Sequence, residues 1–245
     1  MKSDLSVFTN DGVRIAVSHY RDKKPIVVIL SHGFYNSRNS RLSQLVAQFL
    51  EPYYDVISFD YRGHGQSGGM YTFGAREDRD FAAVLRYAQS FGYAKTALIG
   101  FSLGAAVPAV YLGRRRCVDS LMLISCPWSF SRIDCHFWER PALNAVRDVF
   151  NANGRARGAR IGNPFLKKPF PAAAMGQIAP PVFFVHGQSD WLIKPWHSRA
   201  LFGLRRTTGR LEILRGGFHG EKLIDQFPEK FRQMALNWFR ETLAG

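Results

Sequence analysis

The residues Gly100-Phe101-Ser102-Leu103-Gly104 place a serine on a glycine-flanked turn, between the apolar run Thr96 to Ile99 and the helix-forming stretch Ala105 to Leu112. A hydroxyl is a poor nucleophile at neutral pH. On a sharp strand-to-helix turn it is lifted clear of the sheet edge, where a histidine can take its proton. Small residues at 100 and 104 make such a turn sterically feasible. A base and an acid follow in chain order: His186-Gly187-Gln188-Ser189-Asp190 comes directly after the apolar run Val182 to Val185, and Gly216-Gly217-Phe218-His219-Gly220 comes after Leu211 to Leu214. His219 is the candidate base, and Asp190 is the carboxylate that would fix its tautomer and stabilise the imidazolium. Helix capping is the plain alternative for both. Pro195 marks the next helix start more closely than Asp190 does, and a cap at 219 leaves Gly216 and Gly217 unexplained.

Attack on a carbonyl creates an oxyanion, which needs preorganised N–H donors worth ~3 kcal/mol each. The Leu103 backbone supplies one candidate. The second is the amide of Phe34, in Ser31-His32-Gly33-Phe34 just after the apolar run Ile26 to Leu30, where Gly33 permits close approach. His32 reads as a brace for that loop rather than a base.

These groups converge only if the runs preceding them are parallel strands, whose carboxyl ends share one sheet edge. The pattern along the chain fits. Leu5 to Thr9 and Val13 to Tyr20 alternate around Asn10-Asp11-Gly12, as an opening hairpin does. Strands are then expected at Ile26 to Leu30, Val56 to Phe59, Ala97 to Ile99, Leu121 to Ile124, Val182 to Val185 and Leu211 to Leu214. Helices are expected at Leu42 to Leu50, Asp78 to Phe91, Leu103 to Leu112, Trp196 to Leu204 and Glu229 to Leu243. Continuous apolar strands separated by helices indicate a mostly parallel sheet covered on both faces.

About fifty residues, Pro127 to Pro181, break this rhythm. They hold no strand pattern and read as a lid or cap insertion, at about 127–181, in a single domain spanning 1–245. Trp128, Phe130, Phe137, Trp138 and Phe150 either line an apolar pocket or pack the insertion onto the body. Eight basic residues against three acidic ones make the insertion cationic. Such a lid draws in anionic substrates or headgroups, although a solvated surface explains the same charges.

The 245 residues are 46% hydrophobic and 21% charged, enough apolar residue for a sizeable core. No apolar run approaches the ~20 residues of a membrane span and no signal-type segment opens the chain, so a soluble, cytoplasmic protein is expected. Cys117, Cys126 and Cys135 lack the paired spacing of a metal site or disulfide framework. The formal net charge of +14 is spread out, with Arg114-Arg115-Arg116 at a helix end as the one run of three. This predicts no specific nucleic-acid partner, and at most a weak attraction to anionic surfaces. The chemistry requires no cofactor and no metal.

Four motifs along the chain resemble the α/β-hydrolase superfamily: His32-Gly33-Phe34, Asp60-Tyr61-Arg62-Gly63-His64-Gly65-Gln66-Ser67, Gly100 to Gly104, and His186 to Asp190 paired with Phe218-His219-Gly220. The resemblance implies an α/β fold with an eight-stranded, mostly parallel sheet and a lid. It also implies Ser102 as nucleophile, Asp190 as acid, His219 as base and the Phe34 and Leu103 amides as oxyanion hole. It makes the Asp60 to Ser67 loop structural. Within the superfamily the chain is similar to small serine carboxylesterases and to the monoacylglycerol-lipase-like and serine aminopeptidase-like groups. A serine at 102 departs from haloalkane dehalogenases and epoxide hydrolases, and the residues after Phe34 depart from the multi-glycine oxyanion loop of one large esterase group. The expected activity is hydrolysis of small carboxylic esters through an acyl-enzyme. A thioesterase or acyltransferase using the same three residues, and a noncatalytic binding scaffold, are the alternatives. Physiological substrate, chain length and oligomeric state stay open.

Overall fold

A computed structural model describes residues 1–113, 115–133, 159–168 and 170–244 of the chain. Within them, eight strands form one sheet: β1 (Lys2–Phe8), β2 (Arg14–Tyr20), β3 (Ile26–Ser31), β4 (Asp55–Phe59), β5 (Lys95–Phe101), β6 (Ser120–Ile124), β7 (Val182–Gly187) and β8 (Gly209–Leu214). Their order is β1-β2-β4-β3-β5-β6-β7-β8. β2 pairs antiparallel with both neighbours, and every pairing from β4 through β8 is parallel. The opening hairpin turns on Gly12, at φ 76°.

Seven helices flank the sheet among the described residues: α1 (Arg41–Leu50), α2 (Glu77–Gln89), α3 (Leu103–Leu112), α4 (Pro171–Met175), α5 (Trp196–Leu204), α6 (Lys222–Gln226) and α7 (Pro228–Leu243). The strands alternate between two cores, as their period of two requires. Val27, Ile29, Leu98, Leu121 and Phe184 face α2 and α3, where Phe81 and Val84 are buried. Val28, Leu30, Ile99, Met122 and Val185 face α1 and α7, where Val46, Phe231 and Phe239 are buried. Burial on both faces explains why these strands read as unbroken apolar runs.

Strand edges extend one or two residues beyond the apolar runs. α4, α6 and a 3₁₀ turn at Phe130–Arg132 have no counterpart in the sequence expectations. Elements of three to five residues are too short to show a helical period. In the insertion, Phe137, Trp138, Phe150 and Cys135 lie outside the described residues, as does Arg114. Trp128 and Phe130 pack against the core, and Trp128 meets Phe170 edge-on at 4.8 Å. The segment returning from the insertion is fastened down. The Arg160 N–H donates to Gly63 C=O (2.8 Å), the Tyr71 N–H to Arg160 C=O (2.8 Å) and the Gly162 N–H to Tyr71 C=O (2.8 Å). The Arg160 guanidinium also donates to Ser67 C=O, so this basic residue is committed to the scaffold.

The Asp60 to Ser67 loop is a buried polar knot. Asp60 accepts the N–H groups of Arg38 (2.7 Å) and Gln66 (2.9 Å). Arg62 forks between Asp80 (2.9 Å) and Asp11 (2.9 Å), tying the loop to α2 and to the first hairpin turn. His32 donates from Nδ1 to Gly33 C=O (2.7 Å) and accepts the Tyr61 N–H at Nε2 (3.1 Å). Burial holds His32 neutral with its pKa pushed down to about 4, and pushes His64 down to about 3.

Two expectations follow from this packing. A Cβ at Gly104 would stand 2.2 Å from Ser31 C=O and 2.4 Å from His32 C=O, both rigid backbone atoms. Gly104→Ala is therefore expected to lower stability by roughly 2–4 kcal/mol, read as a lower urea midpoint. Histidines whose folded pKa is depressed contribute stability above their unfolded value near 6.5, and that stability is lost as pH falls. Between pH 7 and pH 5 the loss from His32 and His64 together is roughly 2–4 kcal/mol, and it is opposed by Asp80, whose carboxyl burial raises to about 7, and by the raised His219, both of which favour the folded state as they take up protons. The check is a difference: the change in urea midpoint from pH 7 to pH 5 should be less unfavourable in His64→Gln than in the wild type, and an equal change in both proteins would contradict this.

Candidate active site

Ser102 sits between β5 and α3 with φ 52° and ψ −112°, a left-handed conformation that costs a serine free energy. Its N–H donates to Ile124 C=O (2.8 Å), and its C=O accepts the Ala105 and Ala106 N–H groups (3.0 Å each). The turn is thus held by the neighbouring strand on one side and by the first turn of α3 on the other. The Leu103 N–H consequently belongs to the N-terminus of α3, where helical N–H groups have no intrahelical acceptor.

The loops after β7 and β8 meet this turn. His219 Nε2 lies 3.0 Å from Ser102 Oγ, and His219 Nδ1 lies 2.8 Å from Asp190 Oδ2. Three residues separated by as much as 117 positions in sequence thereby form one chain of hydrogen bonds. Asp190 is buried and fully engaged. Its Oδ1 accepts the N–H groups of Leu192 (3.0 Å) and Ile193 (2.9 Å), and its Oδ2 is shared between His219 and His186 Nε2 (3.2 Å). His186 is itself fixed by Ser198 Oγ at Nδ1 (2.6 Å) and by Ile193 C=O at Nε2 (2.6 Å).

The electrostatics follow from these contacts. Burial alone would raise the Asp190 pKa, but the charge of His219 and the hydrogen bonds from His186 and His219 outweigh it, holding the carboxyl well below the usual range. Burial alone would lower the His219 pKa, and Asp190, with a smaller pull from Glu221, outweighs that and raises it. A carboxylate that stays charged beside a ring of raised basicity suits the ring to receive a proton.

The His219 loop is packed with no slack. A Cβ at Gly187 would stand 2.3 Å from both Gly217 C=O and Phe218 C=O, so the loops carrying Asp190 and His219 touch backbone to backbone. The Gly220 N–H donates to Ser125 Oγ (3.0 Å), and Ser125 is a second buried serine with positive φ, 49°. On the other side, the Gly33 N–H donates to Glu221 Oε1 (2.7 Å). The adjoining Gly33–Phe34 peptide is oriented by its C=O, which accepts His32 Nδ1–H and the Asn36 N–H (3.2 Å). In a trans peptide this turns the Phe34 N–H the opposite way. The Phe34 ring stacks on Tyr71 at 4.6 Å, beside Phe73.

Ser102, Asp190 and His219 are therefore brought together, while Phe34 lies in the loop after β3 and Leu103 opens α3 directly after the serine. His186, Ser125 and Glu221 support the site without a sequence expectation behind them. His186 and Glu221 were visible only as neighbours of Asp190 and His219, and Ser125 only as the residue after β6. Among the described residues, no group of three or more His, Cys, Asp or Glu is arranged to hold a metal ion. Cys117 and Cys126 are free thiols. No helix among them is long and apolar enough to cross a membrane.

Comparison with known proteins agrees with this architecture. The chain is 25% identical over 228 residues to the uncharacterized protein YfhR of Escherichia coli O157:H7, covering 91% of this chain and 72% of that protein. Among solved structures, it is similar to the esterase Pf2001 of Pyrococcus furiosus, with TM-score 0.78, 21% identity and coverage of 98% and 90% of the two chains. It is similar also to the esterase RhEst1 of Rhodococcus sp. ECU1013, with TM-score 0.78, 19% identity and coverage of 98% and 99%. The model of the α/β-hydrolase fold matches residues 26–169, from β3 into the insertion. With more than half of its length matched in sequence and its sheet order and serine turn in place, the chain belongs to the α/β-hydrolase fold family.

Proposed function

We propose that the chain is a serine hydrolase that cleaves small carboxylic esters through an acyl-enzyme on Ser102. The observation that carries this reading is the continuous path Ser102 Oγ, His219, Asp190, with steps of 3.0 and 2.8 Å, built on a strained turn. Strain retained at a buried serine points to a role beyond packing. That Pf2001 and RhEst1, the two proteins of similar structure, are esterases supports the substrate class.

In this reading His219 Nε2 takes the Ser102 proton as Oγ attacks the ester carbonyl. Asp190 holds the ring with Nδ1 protonated and balances the imidazolium charge. The amides of Phe34 and Leu103 receive the oxyanion. Collapse breaks the bond to the alcohol, which leaves with the proton from His219. Water then attacks the acyl-enzyme, giving up a proton to the same nitrogen, and the carboxylic acid departs as Ser102 is restored. No cofactor or metal enters any step. The insertion at about 127–181 acts as a lid. Its support is the return segment at Arg160 to Gly162, which is bound beside Tyr71, the residue stacked on Phe34.

Hydrolysis of p-nitrophenyl acetate, butyrate and octanoate by the wild type and by Ser102→Ala tests the reading. The wild type should turn over at least one ester, and the variant should lose about 10³-fold or more in kcat. Equal rates would remove Ser102 as nucleophile. An inert wild type that still reacts stoichiometrically with a fluorophosphonate at Ser102 would move the acyl donor to another class, such as a thioester. The pH dependence gives a second check. The reaction needs neutral His219, whose pKa is raised, so kcat/KM should fall on the acid side with a midpoint above the 6.5 of an ordinary histidine. A midpoint below 6.5 would contradict the geometry.

A further inference from the structure

Glu221 follows the base by two residues and stands at the start of α6, yet its carboxylate reaches the other side of the site. Its Oε1 accepts the Gly33 N–H at 2.7 Å, a contact between residues 188 positions apart. Fit at this contact is close: a Cβ on Gly33 would stand 3.1 Å from each carboxylate oxygen. Gly33 opens the peptide whose far end is the Phe34 N–H. The residue before Glu221, Gly220, is held by strained Ser125, and α6 is linked again to the start of α1 through Asp225 and Arg41. The base loop is therefore clasped to the oxyanion loop at one point of charge, with a surface ion pair behind it.

We propose that Glu221 is a positioning residue for the reaction, its carboxylate fixing the oxyanion loop against the base loop and adding a second negative charge beside His219. This rests on the serine-hydrolase reading above. Among the described residues, the groups acting on the His219 ring are Ser102 from the serine turn at 3.0 Å, Asp190 from the loop after β7 at 2.8 Å, with His186 behind it, and the charge of Glu221, two residues along its own loop. Asp190 is the dominant partner and Glu221 the lesser one. The same charge opposes an oxyanion nearby, but donation from the Gly33 N–H spreads it.

Two variants separate the tether from the charge. Glu221→Gln keeps an oxygen acceptor for Gly33 and removes the charge, whereas Glu221→Ala removes both. For Gln, the acid limb of kcat/KM should move to lower pH, because a negative charge beside the ring is lost, with kcat reduced several-fold at most. For Ala, kcat should fall about tenfold or more with KM changed little, since a misplaced donor is felt in the transition state. A titration of the His219 imidazole by ¹⁵N NMR, in a Ser102→Ala background with and without Glu221→Gln, reads the charge without any turnover, and a drop in the ring's pKa is expected. The proposal is overturned if that pKa is unmoved and both variants match the wild type in kcat/KM. Fluorophosphonate labelling of the wild type keeps the two questions apart. A wild type that neither labels nor hydrolyses defeats the hydrolase reading, while the NMR titration still decides whether Glu221 acts on His219.

Discussion

Parallel hydrogen bonding does not stop where the strands end, and the site depends on that continuation. Beyond β5 the Ser102 N–H still finds Ile124 C=O, beyond β6 the Ser125 N–H finds Val185 C=O, and beyond β7 the N–H groups of Gln188 and Ser189 find Leu214 and Gly217 C=O. Each loop is therefore registered against the next before any side chain makes contact. The distances among Ser102, His219 and Asp190 inherit the accuracy of a sheet rather than the looseness of surface loops. Gly104 and Gly187 matter for the same reason, since a side chain at either would wedge two of these loops apart.

Polar groups near the site divide into two sets by what surrounds them. Asp190 and His219 answer each other across 2.8 Å, and the ring faces a hydroxyl. At His32 and His64 burial is the largest influence, outweighing at His64 the pull of the Asp60 carboxylate, and it strips both rings of charge. They act as neutral spacers, with His32 bridging Gly33 C=O and the Tyr61 N–H. Asp60 and Arg62 are spent on backbone N–H groups and on ion pairs with Asp11 and Asp80. The Asp60 to Ser67 motif, read as structural from its resemblance, is in three dimensions a frame on which the loop bearing His32 and Phe34 rests.

The sheet was legible because its strands are buried on both faces and so written as uninterrupted apolar runs, and α3 and α5 end where their apolar periods end. The three site residues were legible because each follows such a run directly and is flanked by glycine. What escaped has a common physical character. α4 and α6 are single turns stabilised by what they pack on, not by an internal period. His186 sits inside a strand, where its apolar neighbours hide it, and Ser125 is one serine among many until its positive φ is known. Glu221 carries no mark in the sequence beyond its place two residues after His219, and its contact is visible only through the approach of Gly33. Contacts between residues over a hundred positions apart leave no local mark on the chain.

The attachment of the insertion carries a consequence of its own. On entry, the Trp128 N–H is bonded to His197 Nδ1 (2.9 Å) at the first turn of α5; on return, Arg160 and Gly162 are laced to Gly63 and Tyr71. Both anchors are main-chain bonds on the insertion's side, indifferent to the residues strung between them. A segment grafted between these posts from another chain would meet the same moorings and leave the serine turn undisturbed. On the lid reading proposed above, variation in what the cleft admits can then accumulate over descent, or be introduced by exchange, without the framework beneath having to change.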